Sequence, residues 1–215
     1  MNKIPLVNSN IYEFFVDPNL VDEALEYFLT LPISQELAHA PNVNSAYALY
    51  RATPESRYMP FYHEKLFDEL QKFVDEVCNL HFRDSKLAIC DSWLTKSSFG
   101  KNSTIHLHNF SIFSGLVYFS DSRTVTKFTL DDPFYTRNSH LWENRMKDQK
   151  YTAKIEPQKG KVVIWDSSIK HSITSHKDKH IRYTLAFNTW LTGTICNDTT
   201  SQLYSNVIDV KQRSQ

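Results

Sequence analysis

At 215 residues the chain is long enough for one well-packed domain with trimmings and too short for two full ones. Hydrophobic residues at 41% and aromatic residues at 13% exclude a disordered chain. Twenty-four basic side chains balance 24 acidic ones, and this neutrality argues against duplex nucleic acid as a partner. Cys78, Cys90 and Cys196 lie far apart with no C-x-x-C pair, so they read as thiols of a reducing compartment. The opening stretch MNKIPLVNSNIYEFF has no apolar signal core, and no later run could span a bilayer. A cytoplasmic protein with no membrane partner is expected.

Residues 1–86 read as a strand and helices that support a β-rich C-terminal part. Ile11–Val16 is a short apolar strand. Asp17-Pro18 supplies an N-cap and a proline at the first helical position. Val21, Ala24, Leu25, Phe28 and Leu29 recur at helical spacing, and Pro32 closes the segment. Ala40–Arg57 is polar and reads as a loop. A second helix is expected from near Pro60, with Leu66, Leu70, Phe73, Val74 and Val77 as its apolar stripe and Asp68–Lys72 as an i,i+4 pair.

Over residues 87–193 the character changes to short runs rich in β-branched and aromatic residues. These are LAICDSWLTKS, TIHLHNF, SIFSGLVYFS, TVTKFTL, YTAKIEP, GKVVIWD, HSITS and IRYTLAFNTWL. So many strands in so short a span mean a sandwich or barrel. The polar insert 134–150 suits a lid or long loop, and residues 194–215 form a polar tail. The whole reads as a single structural domain.

Alternation along a strand puts His106 and His108 of TIHLHNF on one face. An H-x-H pair alone is a weak signal, since two histidines on a polar sheet face would look the same. The third histidine strengthens it. Gly100, His106 and His108 are spaced G-x5-H-x-H, and Gly160 and His171 are spaced G-x10-H, both on strand-plus-turn patterns. In a double-stranded β-helix, or jelly roll, these segments face each other across the barrel mouth. Three imidazoles would then converge on one metal ion and leave positions open. Eleven residues after His171 comes Arg182. In IRYTLAFNTWL it shares a face with Thr184, Ala186 and Asn188, while Ile181, Tyr183, Leu185 and Phe187 share the face that packs on the helices. A guanidinium on the inward face needs an anion, either a ligand carboxylate or an internal Asp or Glu.

The pattern resembles the Fe(II)/2-oxoglutarate-dependent oxygenases. Among them it looks most like a bacterial and phage group with an H-x-H-x5-S-G-x-x-Y segment, here His106-Leu107-His108 followed by Ser114-Gly115-Leu116-Val117-Tyr118. The resemblance includes Ser92-Trp93, Phe128, Asp132-Pro133, Pro157, Gly160, Val162, Trp165, His171, Arg182 and Phe187-Asn188. It implies Fe(II) on His106 and His171, with His108 standing where most relatives outside the group carry Asp or Glu. It implies 2-oxoglutarate as cosubstrate, its far carboxylate on Arg182, with Thr184 in the place of the family's serine and the Tyr118 hydroxyl on the same anion. It also implies O2 and a small-molecule or peptide substrate that is hydroxylated at a C–H bond.

Asp166 is the alternative to His108 as the third ligand, and a turn-capping role is the plain reading of the same residue. His176 and His180, in a polar turn, are expected to be solvated. His39, His63, His81 and His140 have no partner pattern, and Trp93, Trp142, Trp165 and Trp190 read as core or rim, with Trp142 the one to watch for substrate contact. Two rival readings remain. A cupin-like metal protein would carry Glu three or four residues after His108, where this chain has Ile112 and Phe113. A non-catalytic jelly-roll interaction protein would have lost its iron.

Overall fold

The computed structural model describes residues 1–6, 9–31, 33–34, 45–49, 61–82, 85–130, 152–195 and 203–205. The lid expected at 134–150, most of the tail, Asp132-Pro133, His39, His140, Trp142 and Cys196 lie outside these residues.

The chain opens with β1 (Asn2–Leu6) and β2 (Ser9–Phe15), an antiparallel pair that covers the predicted apolar strand. Helix α1 (Pro18–Thr30) comes next, as the sequence predicts. Asp17 accepts the backbone N–H of Asn19 at 2.9 Å, Pro18 opens the first turn, and Val21, Ala24 and Phe28 are buried. The region read as a loop over Ala40–Arg57 contains β4 (Ser45–Leu49), which pairs with β3 (Ile33–Ser34) on one side and β5 (Lys86–Ser97) on the other. Ladder pairing gives this segment its strand form. Helix α2 (Glu64–His81) starts later than predicted, because Phe61 is buried and His63 caps the helix by accepting the Leu66 N–H. Its apolar stripe is as expected, and Lys72 forms an i,i+3 ion pair with Glu69.

The β region forms two layers. The large sheet runs β1-β2-β9-β6-β11-β5-β4-β3, with β12 (Leu203–Ser205) on β11. Its central strands are β9 (Lys161–Asp166), β6 (Phe113–Tyr118), β11 (Arg182–Ile195) and β5 (Lys86–Ser97). The small sheet is β10 (Lys170–Ile173), β7 (Thr126–Thr129) and β8 (Thr152–Ile155). This antiparallel arrangement is the expected jelly roll with helices on one sheet. Among the described residues, no helix is long and apolar enough to cross a membrane.

Each side of the large sheet has its own core. Val117, Val162, Ile164, Leu185 and Phe187 pack against α1 and α2. Leu116, Val163, Trp165 and Ala186 face the small sheet's Phe128, Ala153 and Ile155 and form the lumen. Period-two alternation along β11 produces this division, with Leu185 and Phe187 toward the helices and Arg182, Thr184 and Ala186 toward the lumen. One expected strand is absent. TIHLHNF contributes only an isolated antiparallel bridge, His106 to His171, flanked by single backbone bonds. The segment is extended and keeps strand alternation without a full ladder.

Two glycines have specific causes. Gly160 enters β9 with φ 81, and a Cβ there would meet the carbonyl of Val16. Gly115 lies directly across from Phe187 on β11, and a Cβ would run into the Phe187 ring. The S-G pair of the motif therefore makes room for a core aromatic. Gly115→Ala should lower stability by about 1–3 kcal/mol, the usual cost of overpacking. Thermal melts test this, and an unchanged Tm would mean that the ring can move aside.

Candidate metal centre

The segment before β6 and the start of β10 meet edge to edge. His106 N donates to His171 O at 3.0 Å, and His171 N donates to His106 O at 2.8 Å. Two residues that exchange both backbone bonds carry their side chains on the same face. The His106 and His171 ring centroids therefore lie 4.3 Å apart. His108 comes to the same side by alternation, 4.8 Å from His171 and 5.4 Å from His106, and its own N–H is held by Ser167 O at 3.1 Å. Ligand-type atoms of the three histidines all lie within 4.8 Å of one another.

The hydrogen bonds prepare each ring for a metal. His106 Nδ1 faces Thr104 O at 2.8 Å, and His171 Nδ1 faces Ile169 O at 3.1 Å. A carbonyl only accepts, so both Nδ1 atoms carry the proton and both Nε2 lone pairs stay free. His108 Nδ1 faces Asn188 Oδ1 at 2.8 Å and Ser114 Oγ at 2.7 Å, which sets the same tautomer. Behind it a hydroxyl chain runs from Ser114 to Ser167 (2.7 Å) and on to Ser111 (2.8 Å). Sequence reasoning gave no role to Asn188, Ser114 or Ser167. The available signal was that Asn188 shares the face of Arg182.

Asp166 stands apart from this cluster. It is exposed and caps its own turn, accepting Ser168 N at 2.8 Å and Ser168 Oγ at 2.6 Å, the plain reading of that residue. The position where a cupin would carry Glu holds Phe113, buried in the helix-side core. His176 corrects the expectation of a solvated turn. It is 1% exposed, with Nδ1 on Thr124 Oγ1 and Nε2 on the carbonyl of His180, both at 2.8 Å. Polar turn residues hid the fact that this loop folds back onto the start of β7. His180 is exposed as expected. His63 caps α2, and His81 bonds the Tyr12 hydroxyl at 2.6 Å. Trp165 is core, and Trp93 and Trp190 are half-buried.

On the lumen side of β11 Arg182 is fully buried. Its contacts are long, 3.5 Å to Thr124 O and 3.4 Å to Ser97 Oγ, and its Nε has no partner among the described residues. No carboxylate among the described residues forms an ion pair with it. Two residues along, Thr184 Oγ1 is buried and also without a partner. Tyr118, across from Thr184, gives its hydroxyl to Thr126 at 2.7 Å, and burial pushes that phenol up to about 12. A buried guanidinium with long contacts and a free Nε, beside a hydroxyl without a partner among the described residues, is a cradle for an anion.

Burial also holds two of the rings neutral, with His108 pushed down to about 4 and His171 to about 3. Free imidazole titrates near ~6.5. The unfolded chain therefore takes up protons that the folded chain refuses. Their stabilisation is complete above pH ~6.5 and is lost as pH falls toward the folded values, by up to about 1.4 kcal/mol per unit for each ring. Urea titrations of the metal-free chain should show stability falling from pH ~6.5 toward pH ~4.5. His171→Phe should flatten that slope, and an unaltered slope would exclude His171 as a source.

The comparisons with known proteins bear on the family and the fold. Residues 91–188 match the family model described as "Putative 2OG-Fe(II) oxygenase". Among solved structures, HygX from Streptomyces hygroscopicus with nickel and 2-oxoglutarate bound aligns with TM-score 0.55 at 10% identity, covering 83% of this chain and 82% of that one. A 2OG-Fe(II) oxygenase family oxidoreductase from Burkholderia pseudomallei gives 0.57 at 10% identity, covering 83% of both chains. The viral collagen prolyl hydroxylase of Paramecium Bursaria Chlorella virus-1, as its 2OG complex, gives 0.51 at 14% identity, covering 83% and 94%. At such identities the likeness is one of fold. No curated protein matches the chain in sequence.

Proposed function

From the premise that this chain is a 2-oxoglutarate-dependent oxygenase, we propose that it hydroxylates a C–H bond of its substrate at an Fe(II) held by His106, His108 and His171. The observation that carries this reading is the pairing of two sites along one lumen. Three imidazoles with free Nε2 atoms meet at its mouth, and a buried Arg182 with a free Nε lies on its β11 side. The histidines fit a metal because each Nδ1 proton is already given to an acceptor. Arg182 and Thr184 fit a carboxylate because each has a buried polar atom without a partner.

When bound, iron and 2-oxoglutarate supply the oxidation. Dioxygen is consumed, 2-oxoglutarate becomes succinate and carbon dioxide, and the substrate gains a hydroxyl. The chain's own residues bind, orient and exclude water. Arg182 would take the far carboxylate of the cosubstrate in a charge-assisted bond, with Thr184 beside it. Tyr118 would support the same anion by turning its hydroxyl from Thr126. Phe128 and Trp165 line the space beside His171, at 6.0 and 4.9 Å between ring centroids, and keep it dry. Asn188 and Ser114 would hold His108 in its ligand tautomer. A neutral third ligand leaves more positive charge on the metal than the commoner carboxylate, which strengthens its hold on an anionic cosubstrate.

One equivalent of Fe(II) or Co(II) should bind, and His106→Ala or His171→Ala should abolish it. Asn188→Leu should weaken metal binding by about 10–100-fold through loss of the bond to His108. Arg182→Met should keep the metal but weaken 2-oxoglutarate binding by about 2–5 kcal/mol. Calorimetry in which the metal-loaded wild type fails to take up 2-oxoglutarate would sink the oxygenase reading of this site.

A further inference from the structure

We infer that Asp91 receives the substrate, and that the group it receives is an organic cation, an ammonium or guanidinium. This rests on the metal centre proposed above and adds a substrate class to it.

The argument starts from a change of phase in β5. Leu87 and Ile89 turn to the helix-side core. Strict alternation would send Asp91 the same way and bury a carboxyl among aliphatic side chains. The ladder between β5 and β11 shifts at this point. Asn188 pairs with Asp91 and Thr189 with Ile89, which leaves Cys90 as the extra residue of a bulge. Beyond it Ser92, bonded to Phe61 O at 3.0 Å, and Leu94 face the helices. Asp91 and Trp93 therefore face the lumen. Bulges beside active sites commonly re-aim a side chain in this way.

The bulge delivers the carboxyl to the metal end of the lumen. Its ladder partner Asn188 holds His108 Nδ1 at 2.8 Å. Trp93, next along the same face, has its ring centroid 5.3 Å from that of His108. Arg182 is at the other end, paired across from Ser97, and does not offset the charge. Asp91 is half-buried, and among the described residues no Lys, Arg or His forms an ion pair with it. Burial pushes its carboxyl up to about 6, so at neutral pH it remains mostly a partly desolvated anion with no counter-charge among the described residues. A cationic substrate group supplies that charge through a charge-assisted bond and finds the Trp93 ring beside it. A neutral hydroxyl would make the weaker of the two bonds.

Paramagnetic relaxation tests this without turnover. The protein is loaded with Co(II) and 2-oxoglutarate, and the proton relaxation of n-butylammonium is compared with that of butan-1-ol. The ammonium should relax faster on the wild type by about fivefold, the scale for a partly exposed ion pair. Asp91→Asn should bring it down to the alcohol while Co(II) and 2-oxoglutarate binding stay unchanged. Equal relaxation of the two probes on the wild type, or no change in the variant, overturns the inference. So does loss of Co(II) in Asp91→Asn, which would assign the carboxyl to the metal instead. A wild type that takes up no Co(II) at all would overturn the metal centre itself, an outcome read before any probe is added.

Discussion

The pair of backbone hydrogen bonds between His106 and His171 is what turns three separate histidines into one centre. Neither residue lies in a long ladder at this point, since the bridge is isolated and the segment before β6 is otherwise a loop. Its geometry is nonetheless that of an antiparallel pair, and that geometry sets the direction of both side chains. The bridge is anchored from behind, because β10 also pairs with β7 and places His171 opposite Phe128. If the bridge parted, His106 and His108 would move away on a loop, and His171 would remain in the small sheet with its Nε2 facing an apolar wall. The site's geometry thus depends on a contact of two residues that the rest of the fold holds in place.

A second constraint links the two ends of the lumen. Arg182 and Asn188 stand on one strand and one face, six residues apart, a span of roughly 20 Å at strand rise. The strand that fixes the anion cradle therefore also fixes the residue that sets the tautomer of His108. Both ends carry an electrostatic cost. Arg182 Nε and Thr184 Oγ1 are dry and without a partner among the described residues, and the His108 and His171 rings are held far below their ordinary range. Buried polar groups left in this state destabilise a fold unless something else meets them. The costs occur at the places where a dication and a dicarboxylate would offset them.

The hydroxyl chain behind His108 bears on the meaning of the missing carboxylate ligand. The amide oxygen of Asn188 lies 2.8 Å from the His108 ring and holds it with its Nε2 toward the other two histidines. Ser114, Ser167 and Ser111 extend that contact into the sheet. The carboxylate nearest in sequence to the second motif, Asp166, accepts from Ser168 instead of facing the three rings. The neutral third position is supported by its surroundings.

Much of this was legible in the sequence because it depends on period. The Asp17-Pro18 start of α1, the stripe of α2, the two faces of β11 and the shared side of His106 and His108 all derive from the number of residues per turn or per pleat. The spacing of glycines and histidines then carried the resemblance to its family. What the sequence could not provide were relations between segments with no common period. The strand form of Ser45–Leu49 comes from the free edge of β5. The burial of His176 comes from a loop folding back onto Thr124. The Cys90 bulge reverses the phase of Asp91, so that simple alternation counted from Leu87 assigns it to the wrong face. The sequence by itself determined which side chains alternate and at what intervals, since local sterics set those. Only the tertiary structure decided which faces meet, which polar atoms are left without a partner, and where a ladder slips, since these are set by contacts between residues distant along the chain.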